Sequence, residues 1–429
     1  DLAPGDLAHG PNTYASTAII ATQLNAIATT ALLTKASAAY HTQLNDLLLT
    51  ALLLAFRTQA FEQDNRSATP FGLLLDLEGH GREELFDDEA NTVDLTRTVG
   101  WFTTIFPLWL AYPFDDEPIT DWGALIKQVK ETLRQVPNRG VGHGMLRYLA
   151  GATELAVNPP VKFNYLGQAT ARSDDGNSLI QGDVTEAVGP AIVGITHSPH
   201  DLRTHLIEIN ASVIGDELCV NWIYSRNLHR AETIQALADA FVVALHAVIA
   251  HCQRDDVGGY TPSDFPDCDF SQGELDRLLA EIATANPQVA PNRQLLEAIY
   301  PLSPSQQGIL LETLAFPGSG IHVEQSLMQW QGELQWSAFD RAWQTLVARH
   351  TMLRTGFAWH GLGEPHQYVL RAGQMPIHRE SLCHLAPAAQ QAALEHYIAA
   401  DRKSGFAPQQ APLMRLALLQ TGPQRYLLL

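Results

Sequence analysis

An apolar run that ends on a carboxylate is the strongest constraint in this chain. From Phe71 to Leu77 (FGLLLDL) the residues are nearly all apolar, and at Glu78 the sequence turns to EGHGRE, Glu78–Glu83. A short run of this kind, closed by glycines, fits a buried strand whose C-terminal end opens into a turn. Glu78 stands at that opening. Held between two apolar walls, a carboxylate there would be desolvated and able to take a proton near neutral pH. A solvated turn carboxylate, the other reading of the same residue, would be too weak a base.

Around this strand the hydrophobic periodicity predicts a mixed architecture. Asn25 can cap a short helix through Ser37, and 45–61 reads as a longer helix with Leu48, Ala51, Leu52 and Ala55 on one face. Trp122–Val136 carries Leu125, Ile126, Val129 and Leu133 at helical spacing and is stopped by Pro137. A further helix, Thr233–Cys252, repeats Ile234, Leu237, Phe241, Leu245 and Val248 every three or four residues. Ile207, Ile209, Ala211 and Val213 alternate with Glu208, Asn210 and Ser212. This predicts a strand, joined through Gly215–Asp216 to a second one at Leu218–Tyr224, with Asn210 facing solvent. No strict strand–helix repeat appears, so the expected class is α/β of the layered α+β kind, with helices packed on mixed β-sheets. Gln253–Glu297 shifts toward Asp, Gly, Pro and Gln around a helical island at Ser271–Ala285, and reads as a linker pinned against a domain. Beyond it, Trp336–Ala348 predicts a helix with Phe339, Trp343, Leu346 and Val347 toward a core.

Composition narrows the function. With 429 residues, 46% of them apolar, the chain has material for two or more cores. A formal charge of −19 lacks the basic footprint that nucleic acid requires. Apolar runs are soon interrupted by charge, so no membrane span is expected. The chain opens on Asp1 without a basic segment followed by an apolar one, and Cys219, Cys252, Cys268 and Cys383 form no CxxC pair. Free thiols in a reducing cytoplasm are therefore expected. The histidines of HSPHDLRTH (His197, His200 and His205, with Asp201) suggest metal, but Pro199 implies a loop and no helical pair with a basic Glu is present, so no metal is expected. Neither a Gly-rich phosphate loop nor GxSxG occurs, which leaves adenylation and ATP chemistry outside this sequence.

Three later segments share an order with EGHGRE: RTVGWFTTIFP (Arg97–Pro107), PNRGVGHGMLRYL (Pro137–Leu149) and FNYLGQ (Phe163–Gln168). Together the four resemble the epimerization domains of nonribosomal peptide synthetases, through Gly100, Trp101 and Phe102 in the first, Gly140, Gly142 and Gly144 in the second, and Asn164 and Tyr165 in the third. AYHTQLNDLLLTALLL (Ala39–Leu54) upstream and GGYTPSDFP (Gly258–Pro266) downstream add to the likeness. His143 stands where the family usually has Tyr. The chain then restarts: IYPLSPSQQGILLE (Ile299–Glu312, with Ser303 and Gln306) and RHTMLRTGF (Arg349–Phe357, with Arg349, His350 and Arg354) resemble the opening motifs of a condensation domain. Thr351 takes a position where that family usually has Glu.

The resemblance implies a division into 1–258, mainly the C-terminal lobe of an epimerization domain, 259–297, an interdomain linker, and 298–429, the N-terminal part of a condensation domain. It also implies lobes like chloramphenicol acetyltransferase, two to a domain around a tunnel. The family's HHxxxDG motif occurs nowhere in residues 1–429, so the chain resembles a window from a longer synthetase, expected to be inactive alone and to expose core surface at its cut ends. The family inverts the Cα of an aminoacyl or peptidyl thioester carried on the phosphopantetheine arm of a peptidyl carrier domain, with adenylation domains in the same assembly line. By that resemblance Glu78 transfers the proton, and Asn164 and Tyr165 line the thioester pocket. His80 and Arg82 would orient Glu78 or hold the turn, Arg82 through an ion pair. Two other readings stay open: a docking module without chemistry, which has no need of a buried Glu at a strand end, and a stand-alone acyltransferase, which lacks its HHxxxD.

Overall fold

A computed structural model describes residues 6–7, 10–64, 71–83, 94–95, 97–114, 121–169, 197–289 and 295–429, without the side chains of 61–64 and 169. The chain divides into two compact units, Asp1–Gly259 and Tyr260–Leu429. Both set helices against mixed sheets, as the sequence class requires.

In unit 1 the strands are β1 (Thr17–Leu24), β2 (Gly72–Gly79), β3 (Thr104–Ala111), β4 (Val161–Ala169), β5 (Ile207–Ile214) and β6 (Glu217–Ser225). They form one sheet in the order β1-β6-β5-β4-β2-β3. β4 runs parallel to both β2 and β5, while the remaining neighbours are antiparallel. Asn25 accepts a hydrogen bond from Ala28 N and so starts α1 (Ala26–Ala31), which continues through a π-helical turn, Leu32–Ala36, into α2 (Ser37–Tyr40). The other α-helices among the described residues of the unit are α3 (Leu44–Asp64), α4 (Trp122–Arg134), α5 (Val141–Gly144) and α6 (Ala231–Cys252).

The expectation of a single apolar face on α3 is corrected by the structure. Leu47 through Phe56 are all buried, Leu48 and Leu49 as fully as Leu52 and Leu53. A helix that is apolar all round belongs inside a core, and α3 is packed by α4, α6 and β2. α6 needs a second correction: by length and composition it could cross a membrane, contrary to the expectation that no run could. Here it is a core helix, burying Ile234, Leu237, Phe241, Leu245 and Val248. Its Phe241 meets Trp222 of β6 edge to face at 5.6 Å.

One charge sits at the base of α3. Asp46 is fully buried and accepts Arg134 Nη1 at 3.1 Å, Arg134 Nη2 at 2.8 Å and the Gln43 backbone N–H at 2.7 Å. Burial pushes its carboxyl above the usual range, and Arg134 acts against that. The pair ties the first turn of α3 to the last turn of α4.

Unit 2 holds two sheets, β7-β10-β9 and β11-β12-β13-β8. The strands are β7 (Leu296–Pro301), β8 (Met328–Gln331), β9 (Thr355–Ala358), β10 (His366–Leu370), β11 (Ile377–Ser381), β12 (Leu416–Gly422) and β13 (Arg425–Leu428). The segment after Gly259 is fastened down. Tyr260, Phe265 and Phe270 join Leu275, Leu278 and Ile282 of α7 (Gln272–Ala285) in one core with Leu296, Ile299, Tyr368 and Leu370. Ser303 and Gln306 form a capping box that starts α8 (Pro304–Ala315), which is the physical content of SPSQQ. On α9 (Trp336–Arg349), Phe339, Trp343 and Val347 make the core stripe. Leu346 was expected there, but it lies one position off the i, i+4, i+8 row and is exposed. Arg354 is buried, pairs with Glu297 at 2.8 Å and donates to the carbonyls of Val347 and Leu370, whereas Arg349 and His350 face solvent. α10 (Pro387–Ser404) is the last helix.

Arg134→Met strands the Asp46 charge without its partner. It is expected to cost about 3–5 kcal/mol in urea unfolding, and a loss below about 1 kcal/mol would show that the pair is not what holds α3 to α4.

Candidate active site

Strand alternation decides what Glu78 faces. Leu73, Leu75 and Leu77 of β2 point into the core, so Asp76 and Glu78 point to the opposite face. Parallel pairing sets Leu77 beside Phe163 and Asn164 beside Asn210, and β6 continues the second row with Asn221. Glu78, Asn164, Asn210 and Asn221 therefore lie side by side on four adjacent strands, with Asp76, Lys162 and Glu208 in the next row.

The Glu78 carboxylate is held at both oxygens. Asn164 Nδ2 donates to Oε2 at 2.5 Å and Lys162 Nζ lies 3.1 Å from Oε1. With a side chain 17% exposed, Glu78 is largely out of water. The two apolar walls expected from the sequence are absent at this end of β2, because alternation sends its leucines to the core side. A polar wall takes their place. Lys162 Nζ also lies 3.8 Å from Glu208 Oε2, and Arg203 Nη2, on a side chain with no exposure, donates to Glu208 Oε1 at 3.0 Å. In the neighbouring row His205 Nε2 is 2.8 Å from Asp76 Oδ2.

Tyr165 is not brought to this group. It alternates to the core face, packs against the core half-buried, and burial raises the pKa of its phenol. Its register with β5 is irregular between Tyr165 and Gln168.

The EGHGRE turn holds itself. His80 Nδ1 accepts the Arg82 backbone N–H at 3.0 Å and His80 Nε2 pairs with Glu83 at 3.1 Å, so His80 points away from orienting Glu78. The ion pair expected for Arg82 is not what the described residues show. Its guanidinium donates to the carbonyls of Leu95 and Thr98 and stacks 4.2 Å from the Phe102 ring centre. This contact explains why the turn and the GWF motif occur together: Gly100 and Phe102 belong to Arg82's cage, while Trp101 is 91% exposed. Gly81 has φ +68°, and a Cβ there would fall 1.7 Å from Phe102 O. At Gly140, φ +83°, a Cβ would fall 2.0 Å from the Phe106 ring, whereas Gly142 and Gly144 have open space around them. Both ring nitrogens of His143 are buried and have no hydrogen-bond partner among the described residues.

The histidine-rich segment comes apart in the structure. His197 stacks on Tyr14 at 4.1 Å, His205 belongs to Asp76, and Asp201 accepts the Ser198 N–H. Among the described residues no group of His, Cys, Asp and Glu is placed to hold a metal. Sequence reasoning missed Lys162, Glu208 and Arg203. The signal was available: in VKFN and IEIN the charged and amide residues fall on one parity, opposite the apolar ones.

A family model described as the condensation domain matches residues 7–265 and 296–429. The chain belongs to the condensation domain family, in agreement with its nonribosomal peptide synthetase motifs. Over 97% of its length it is 40% identical to one of the linear gramicidin synthase proteins of Brevibacillus parabrevis and 36% identical to another. It spans 5% and 8% of those two proteins. Over 94% of its length it is 33% identical to bacitracin synthase 3 of Bacillus licheniformis, of which it spans 6%. Among solved structures it is similar to the epimerization domain from the third module of tyrocidine synthetase B, with 33% identity, TM-score 0.47, and coverage of 58% of this chain and 51% of that one.

Gly81→Ala forces a left-handed φ and a backbone clash at the turn that carries Glu78. It is expected to lower stability by about 1–3 kcal/mol, read as a falling urea midpoint; an unchanged midpoint would mean that the turn does not need this conformation.

Proposed function

We propose that this chain serves a nonribosomal peptide synthetase as the part that inverts the Cα of a carrier-bound aminoacyl or peptidyl thioester from L to D. The product then passes to a condensation domain for peptide bond formation. The observation that carries this reading is the Glu78 carboxylate, oriented at a strand end by Asn164 and Lys162 and mostly withdrawn from water.

Inversion needs a base on one face of the Cα and an acid on the other. In this reading the Cα–H bond breaks toward Glu78, an O–H bond forms on its carboxylate, and the electron pair moves into the thioester carbonyl as an enolate. A general acid on the opposite face then delivers a proton to Cα. The thioester arrives on the phosphopantetheine arm of a peptidyl carrier domain, with the arm as part of the substrate, and adenylation domains of the same assembly line supply the activated residue. The Asn row of the sheet offers amide donors for such a polar substrate. A reducing, cytoplasmic setting belongs to the same reading.

The test is deuterium uptake at Cα of a carrier-bound aminoacyl thioester in D2O, using the full-length protein. Glu78→Gln keeps shape and hydrogen bonding but cannot accept the proton, so uptake is expected to fall about 10²- to 10⁴-fold with folding unchanged. Unchanged uptake would refute the role of Glu78, and no uptake in the parent would favour a module that docks carrier domains without chemistry.

A further inference from the structure

Lys162 is the one cation within ion-pairing distance of Glu78 among the described residues, and it is shared. Its ammonium lies between carboxylates of the two strands that flank β4: 3.1 Å from Glu78 on β2 and 3.8 Å from Glu208 on β5. The three side chains are equally withdrawn, 17–20% exposed. Glu208 is itself fixed, since Arg203 reaches it at 3.0 Å and donates from the same nitrogen to Ile223 O at 3.0 Å. The chain of ion pairs thus runs Arg203, Glu208, Lys162, Glu78 across the two rows, with charges alternating in sign.

We propose that Lys162 is a positioning residue for proton transfer, acting through Glu78 and needing Glu208 as its second partner; this rests on the epimerase reading above. Two donors on two different oxygens fix the plane of the Glu78 carboxylate, Asn164 at one and Lys162 at the other. The ammonium faces the carboxylate at ion-pairing distance, so it is matched to the anionic form, the one that can accept a proton. When the Cα proton arrives, the Glu78 charge disappears and Lys162 would be left as an uncompensated, half-buried cation. Glu208 removes that difficulty: a short movement of a flexible stem transfers the ammonium to a carboxylate already anchored by Arg203. When Glu78 gives up its proton, Lys162 returns. This chain of ion pairs accommodates Glu78 with and without its proton, which is what a group acting as base in one direction and acid in the other requires.

The experiment compares Lys162→Met, Lys162→Gln and Lys162→Arg in the full-length protein by Cα deuterium uptake, with thermal unfolding alongside. A hydrogen bond to a charged group held in the reacting geometry corresponds to about tenfold or more in rate. Lys162→Met and Lys162→Gln are therefore expected to lower kcat by at least about tenfold, with KM for the carrier-bound thioester within about twofold. Lys162→Arg, which keeps the charge, is expected to recover most of kcat. Lys162→Gln is read alone if the Met variant does not fold. If either folded neutral variant keeps kcat within about twofold of the parent, or if Lys162→Arg is as slow as the neutral variants, the proposal is overturned. The parent and Glu78→Gln run in parallel separate the ideas: no uptake in the parent defeats the epimerase reading itself, and retained uptake in Glu78→Gln defeats the role of Glu78 through which Lys162 would act. Abolished uptake there, with active neutral Lys162 variants, defeats only the role of Lys162.

Discussion

The parallel pairing of β4 with β2 and β5 is the constraint on which the rest depends. Because side chains alternate with period two, the register that sets Leu77 beside Phe163 necessarily sets Glu78 beside Asn164. A slip of one residue would send Glu78 into the core and the leucines of β2 into water. The same pairing carries Asn164 to Asn210 and Lys162 to Glu208, so one register assembles both polar rows. The site is thus a property of the sheet, built on three strands rather than on a loop, and its precision is that of the backbone ladder.

That ladder is kept in register by what lies beneath it. Phe163, Ile209 and Trp222 are fully buried on the core face, and α3 fills the space below as a helix apolar on every side. Loss of register would expose this whole set, so the hydrophobic face specifies the placement of the polar one. Near the edge of the sheet the Arg82 guanidinium gathers Leu95, Thr98 and Phe102 through two carbonyls and the Phe102 ring. The EGHGRE turn is fixed by that cage, and Glu78 stands at its start, next to the last residue of β2.

Much of this was legible in the sequence, for particular reasons. The Ile207–Tyr224 hairpin, α6 and the Asn25 cap follow from short-range pattern and capping chemistry, which depend on neighbours in the chain. Glu78 and Asn164 were found through motifs. What escaped was long-range. That Tyr165 packs on the core while Asn164 does not is plain alternation, yet the likeness of FNYLG to a family motif drew both residues to one pocket. Lys162 could be recognised only once β4 was known to lie between β2 and β5, since its two carboxylates are 84 and 46 positions away. Arg82 invited an ion pair because the turn is rich in Glu, and only the folded chain shows its carbonyl cage. The leucines around Glu78 suggested apolar walls because a one-dimensional run does not reveal which face each residue takes.

In the proposal above, Lys162 and Glu78 act as one proton-transfer unit on this sheet face. A double-mutant cycle on the rate of Cα deuterium uptake tests it most directly. Lys162→Met, costly in the parent, is expected to cost nothing further once Glu78 is Gln, because Lys162 would work only through that carboxylate. Equal losses in both backgrounds would contradict it and would return Lys162 to a structural charge on the face of the sheet.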